Sequence, residues 1–105
     1  MDRKYHVRTV RAAEQDVIGA RDFIARHSPE SAARWVEDVC RAIESLDQFP
    51  LRGSVIPESE DLGQEFRHLI LGQYRLIYSV RGFTVWILRV IHGARLLDTS
   101  TIEIE

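Results

Sequence analysis

Between Phe66 and His92, three runs of β-forming residues, Phe66–Leu71, Tyr74–Val80 and Phe83–His92, are separated only by the pairs Gly72-Gln73 and Arg81-Gly82. Connections of two residues suit tight hairpins, because parallel strands need a crossover of a dozen residues or more. The second half of the chain is therefore committed to an antiparallel three-strand meander. The half before it carries a different period. Ala13, Val17, Ala20 and Ile24 recur at helical spacing, in a stripe widened by Ile18 and Phe23. Ala32, Val36, Val39, Ile43 and Leu46 form a second stripe, with Trp35 and Cys40 alongside. Ser28-Pro29-Glu30 divides them, since Ser28 can cap and Pro29 suits a first helical position. So short a join predicts an antiparallel helical hairpin, with Cys40 on its buried side and inert. Tyr5–Val10 reads as a first strand.

Residues 49–65 (FPLRGSVIPESEDLGQE) break every periodicity. A connection of this length in a compact domain is expected to be functional or mobile. Alternation along the last two strands places Tyr74, Leu76, Tyr78, Val80, Trp86, Leu88 and Val90 on one face. That face is continuously apolar and is expected to pack on the helices, with Tyr74 and Tyr78 as core aromatics. The other face carries Arg75, Ile77, Ser79, Val85, Ile87 and Arg89, joined by Arg67 from the preceding strand. An unpaired buried arginine is prohibitively costly, so this face is expected to stay open. The expected architecture is a two-layer α+β domain, β-α-α-β-β-β, with an antiparallel meander packed on a helical hairpin. Residues 1–105 form one domain, with 1–4 and 98–105 as tails.

Charge is distributed unevenly. The net charge of −2 conceals a stretch, residues 66–97, that holds Arg67, Arg75, Arg81, Arg89 and Arg95 and no Asp or Glu. Thirteen of the fourteen basic residues are Arg, the side chain that grips phosphate and carboxylate bidentately. A single cysteine excludes an internal disulfide and a cysteine zinc cluster. His6, His27, His68 and His92 lack metal-ligand spacing, and no phosphate-binding glycine loop or nucleophile elbow is present. No metal and no cofactor is expected. No run approaches the roughly 20 apolar residues of a membrane span, and the N-terminus MDRKYHVRTV has no apolar signal region. The expectation is a cytoplasmic protein without a membrane partner.

Several segments resemble one family. An Ala33-Arg34-Trp35 helix is followed by Phe49-Pro50-Leu51-Arg52-Gly53, an Arg67-centred strand, Tyr74-Arg75-Leu76-Ile77-Tyr78, and a last strand ending in His92-Gly93-Ala94-Arg95. In this order they are similar to the RelE/ParE superfamily of bacterial type II toxins, the plasmid stabilisation proteins, over roughly residues 5–97. The resemblance implies a growth inhibitor neutralised by a small cognate antitoxin, which would lay a segment over the helical hairpin and the open face. RelE-like members cleave mRNA on the ribosome without a metal, and ParE-like members inhibit DNA gyrase. By this resemblance Arg67 matches a RelE catalytic lysine and Arg75 its phosphate-stabilising arginine. Leu69 and Gly93 stand where RelE has a second lysine and a last arginine, and LLDTSTIEIE offers no match for its tyrosine. His92 matches the strand-end histidine of other RNase members. The long hairpin and the F-P-x-x-G turn look more ParE-like.

The leading reading is therefore a gyrase-directed toxin. The alternatives are a ribosome-dependent mRNA endoribonuclease and a non-toxic antitoxin-binding or co-repressor module. Arg67, Arg75 and His92 are the candidate catalytic residues. Arg67, Arg75, Arg89 and Arg95 are the candidate contacts to target or antitoxin. Arg67 and Arg75 are expected to converge within one ligand's reach and to be dispensable for the fold.

Overall fold

The computed structural model describes residues 4–93 and Ile102 of the chain. A strand, β1 (His6–Thr9), leads into two helices, α1 (Arg11–Ala25) and α2 (Pro29–Ser45). The Ser28 hydroxyl accepts the Ser31 N–H at 3.1 Å and Pro29 occupies the first turn, so the helical join forms as its residue types dictate. A 3-10 turn, Pro50–Arg52, opens onto the two-residue strand β2 (Ser54–Val55) and one helical turn, α3 (Ser59–Leu62). The meander follows as β3 (Arg67–Leu71), β4 (Tyr74–Arg81) and β5 (Thr84–His92). The five strands make one mixed sheet in the order β1-β5-β4-β3-β2, with β1 parallel to β5 and the other pairs antiparallel. None of the described helices is long and apolar enough to cross a membrane.

The faces of this sheet sort differently from simple alternation. A two-residue turn sets Leu71 opposite Tyr74, so odd positions on β3 meet even ones on β4, and Arg67 lies across from Tyr78. The second turn likewise sets Tyr78 opposite Ile87 and Val80 opposite Val85. A register shift at Ile77/Tyr78 then spends one extra residue of β5, and beyond it Leu76 faces Val90 and Ile77 faces Arg89. The helix-side face is marked by Trp35 of α2, whose ring lies 5.0 Å from that of Tyr74. It carries Leu69, Leu76, Tyr78, Val85, Ile87 and Val90. Val85 and Ile87 thus move to the side opposite the one alternation predicts. Trp86 moves the other way, and the Arg8 guanidinium sits 5.9 Å from its ring.

The second face is not open. Arg75, Ile77, Ser79 and Ile91 are all buried there. Two expectations on the helices also change. Cys40 is exposed, one position past the buried Val39, and Ile18 and Phe23 are about half exposed rather than part of the core stripe.

Residues 49–65 are folded against the sheet. The Tyr78 side chain is fully buried, and its hydroxyl donates to the Pro50 carbonyl at 2.6 Å and accepts the Gly53 N–H at 3.0 Å. Burial holds its pKa above the ordinary 10.0, so it stays protonated as a donor. Arg67, its cross-strand partner, donates to the carbonyls of Leu51 and Gly53 at 3.0 and 2.7 Å. Gly53 is required by space: a Cβ there would lie 2.5 Å from the Tyr78 hydroxyl and 2.6 Å from the His68 carbonyl. Gly53→Ala should cost about 2–3 kcal/mol as overpacking, and Tyr78→Phe about 1–3 kcal/mol through unmet main-chain groups. Together the losses should be less than additive, because the phenylalanine removes one of the two clashes. Urea midpoints of the four proteins measure this, and strict additivity would show that the two positions do not share a contact.

Candidate functional site

Arg67 and Arg75 do not converge. Register places Arg67 on the face of Tyr78 and Arg75 on the face of His68, so their side chains leave the sheet in opposite directions. Besides its two main-chain acceptors, Arg67 meets Glu65 at 2.7 Å. It clamps the turn at residues 50–53. The geometry overturns the expectation that it shares a ligand with Arg75.

Arg75 is 8% exposed, and its Nη2 lies 3.0 Å from the Glu58 carboxylate, which arrives from the segment joining β2 to α3. His68 stands on the same face of the neighbouring strand. Burial, helped by the Arg75 charge and opposed by Glu58, holds the His68 pKa below the ordinary 6.5. Its Nδ1 and the Ser79 hydroxyl are buried without a hydrogen-bond partner among the described residues. Arg89 is taken up as well. Its guanidinium meets Asp16 of α1 at 2.6 and 2.9 Å, and the same carboxylate accepts the Val90 N–H at 2.9 Å. That bond satisfies the edge of β5 just past the point where β1 stops pairing. Arg95 lies outside the described residues.

Among the described candidates, His92 is the exposed one. Its ring sits edge-on to Tyr74 with centroids 5.5 Å apart. It borders a groove of about 390 Å³ shared with Asp16, Phe23 and Tyr74, between α1 and the ends of β4 and β5. RNA cleavage needs a base, cations aimed at the charged phosphorane and an acid. The groove offers one histidine, and the carboxylate beside it is already bound to Arg89. Among the described residues no group of three or more His, Cys, Asp or Glu side chains could hold a metal ion.

The sequence points to the acidic loop 49–65 or the helices as the source of partners for these arginines, but it does not single out Asp16, Glu58 and Glu65, the acids that meet them. A signal for them existed: strands without acids must find their counter-charges elsewhere in the chain, and residues 49–65 are rich in them.

The chain's similarity to known proteins fits this geometry. The family described as "ParE toxin of type II toxin-antitoxin system, parDE" matches residues 7–97. The fold is similar to a structure of the chromosomal ParDE toxin–antitoxin system from P. aeruginosa, with a TM-score of 0.67 and 22% identity over 87% of this chain and 98% of that one. It is also similar to the toxin–antitoxin complex RelBE2 from Mycobacterium tuberculosis, with a TM-score of 0.56 and 29% identity over 88% and 94%. No curated protein sequence matches.

Two outcomes follow from the Glu58–Arg75–His68 cluster. Arg75→Ala should cost on the order of 3 kcal/mol by stranding the Glu58 carboxylate, and adding Glu58→Ala should recover a large part of the loss. Guanidinium melts of the single and double variants check this, and an Arg75→Ala protein as stable as wild type would overturn the pairing. His68 is neutral in the fold more readily than in the unfolded chain. Its contribution to stability is therefore present above about pH 6.5 and is lost as pH falls through the lower folded value. Thermal midpoints should drop on acidification, and His68→Asn should flatten that drop.

Proposed function

Because the chain belongs to the ParE family of toxins from type II toxin–antitoxin systems, we propose that it arrests growth by acting on DNA gyrase and is held in check by a small antitoxin encoded beside it. The observation that carries this reading is the engagement of the arginines. Arg67 is bound to two carbonyls and Glu65, Arg75 to Glu58, and Arg89 to Asp16. Chemistry on a phosphodiester requires cations aimed at the reacting group, and these guanidiniums are committed to the fold. Leu69 and Gly93, at positions where the RNA-cleaving relatives carry cations by resemblance, supply no charge. The antitoxin finds support in the two similar structures, one a toxin–antitoxin complex and the other from a toxin–antitoxin system.

The test is induction of the chain alone and together with its antitoxin, followed by a supercoiling assay with purified gyrase. Growth should stop with the toxin alone and resume with both, and the purified toxin should block supercoiling. Codon-dependent mRNA cuts with supercoiling intact would sink the gyrase reading in favour of RNA cleavage. Normal growth at good expression would indicate a non-toxic antitoxin-binding module.

A further inference from the structure

We propose that Glu58, Arg75 and His68 form an acid-operated latch, which holds residues 56–62 against the second face of the sheet at neutral pH and releases them in acid. The latch goes beyond the gyrase reading and does not depend on it. Residues 50–65 grip the sheet on both faces at once. On the helix-side face the ties are the Tyr78 hydroxyl at Pro50 and Gly53, and Arg67 at two carbonyls. Neither a phenol nor a guanidinium titrates between about pH 5 and 8, so this grip is indifferent to mild acid. On the second face the tie is ionic, between Arg75 and Glu58 at 3.0 Å, with both side chains largely buried. The helical turn α3 beside it has four residues, too few to stand without tertiary support.

His68 stands beside this pair, opposite Ile77 on β4 and Ser54 on β2. The charged groups that act on it are Arg75 from β4 and Glu58 from the segment before α3. β2 brings no titratable side chain, Glu60 of α3 is exposed, and Glu65 turns to Arg67 on the other face. Residues 66–93 contain no Asp or Glu. One carboxylate thus serves the cluster, and Arg75 already holds it. A neutral imidazole asks for nothing more. An imidazolium donates from both nitrogens, whereas His68 Nδ1 is closed to water and has no acceptor among the described residues. A proton on this ring either leaves a buried donor unmet beside a buried guanidinium or takes Glu58 away from Arg75. Both outcomes disfavour the closed arrangement against one in which residues 56–62 lift and water reaches the ring. The lowered pKa of His68 has the same sign: the closed form prefers the neutral ring, so opening gains as pH falls below about 6.5. A lifted segment frees the Arg75 guanidinium, which is buried in the closed form.

The experiment is hydrogen exchange of the full chain, read peptide by peptide at about pH 7.5 and about pH 5.5. Protection factors are compared, so that the pH dependence of exchange itself cancels. Protection over residues 54–66 should fall several-fold in acid, with about tenfold as the ceiling one pH unit below an ordinary histidine pKa. α1, α2 and the β4–β5 pairing should keep theirs. Glu58→Gln should leave the segment weakly protected at both pH values. His68→Asn and His68→Gln, which take up no proton, should show equal protection at both. Wild-type protection of residues 54–66 that does not change with pH overturns the latch. So does an even loss across all elements, because acid would then loosen the whole fold rather than one segment. A pH response that survives both histidine substitutions also overturns it, since the switch would lie elsewhere.

Discussion

The hydroxyl of Tyr78 is the tie on which the rest of this fold depends. It sits at the middle of the sheet without solvent, where an unmet phenol would cost free energy. Both of its bonds reach back more than twenty residues, to the Pro50 carbonyl and the Gly53 N–H. Arg67, directly opposite on β3, takes the carbonyls of Leu51 and Gly53. One cross-strand pair thus holds the main chain of a whole turn. The demands run backward along the sequence: Gly53 must lack a Cβ, and Phe49 must adopt a left-handed backbone. In turn, the docked segment positions β2 against β3 and sends Glu58 toward Arg75.

The same segment resolves a problem of charge. β3, β4 and β5 contain arginines and no acids, so counter-charges have to come from outside the meander. Residues 58–65 supply two of them, Glu58 to Arg75 and Glu65 to Arg67, and the neutral Gln64 amide oxygen accepts from Arg81. Asp16 of α1 supplies the one to Arg89 and also ties the first helix to the last strand. Such pairs add modestly to net stability, because desolvation offsets much of the attraction. Losing one partner is costly, however, and that asymmetry makes these arginines part of the architecture.

How far the chain could be read in advance follows from which forces are local. The helical hairpin was legible because Ser28, Pro29 and the apolar spacing act within a few residues. The meander was legible because two-residue turns admit one topology. The faces of β4 were assigned correctly, but those of Arg67 on β3 and of Val85, Trp86 and Ile87 on β5 were not, although part of the information was present. A two-residue turn forces odd positions to meet even ones, which by itself separates Arg67 from Arg75. The register shift at Ile77/Tyr78 had no such local signal, and it decides that Val90 joins Leu76 on the helix-side face while Arg89 joins Ile77 on the other. The candidate site fared worse for the same reason. The partners of Arg75 and Arg89 lie 17 and 73 positions away. Only tertiary packing, and no spacing rule, brings such residues together.

Beside the engaged arginines of the meander, the fold leaves apolar surface exposed. Half or more of Phe23 and Phe49 faces solvent, and they belong to grooves at opposite ends of the β4–β5 hairpin. Phe49 neighbours Phe83 at the turn, whereas Phe23 shares its groove with Tyr74 and His92 at the open end. With β4 eight residues long, the two ends lie roughly 25 Å apart at the usual rise per residue. A protein of this size can therefore present two apolar surfaces without either shielding the other. Their difference lies in cost. At the open end, Tyr74 rests on Trp35 and His92 on Tyr74, so the rings there support one another and help close the helices onto the sheet. At the turn, Phe49 is strained and exposed together, a combination that folding alone does not favour.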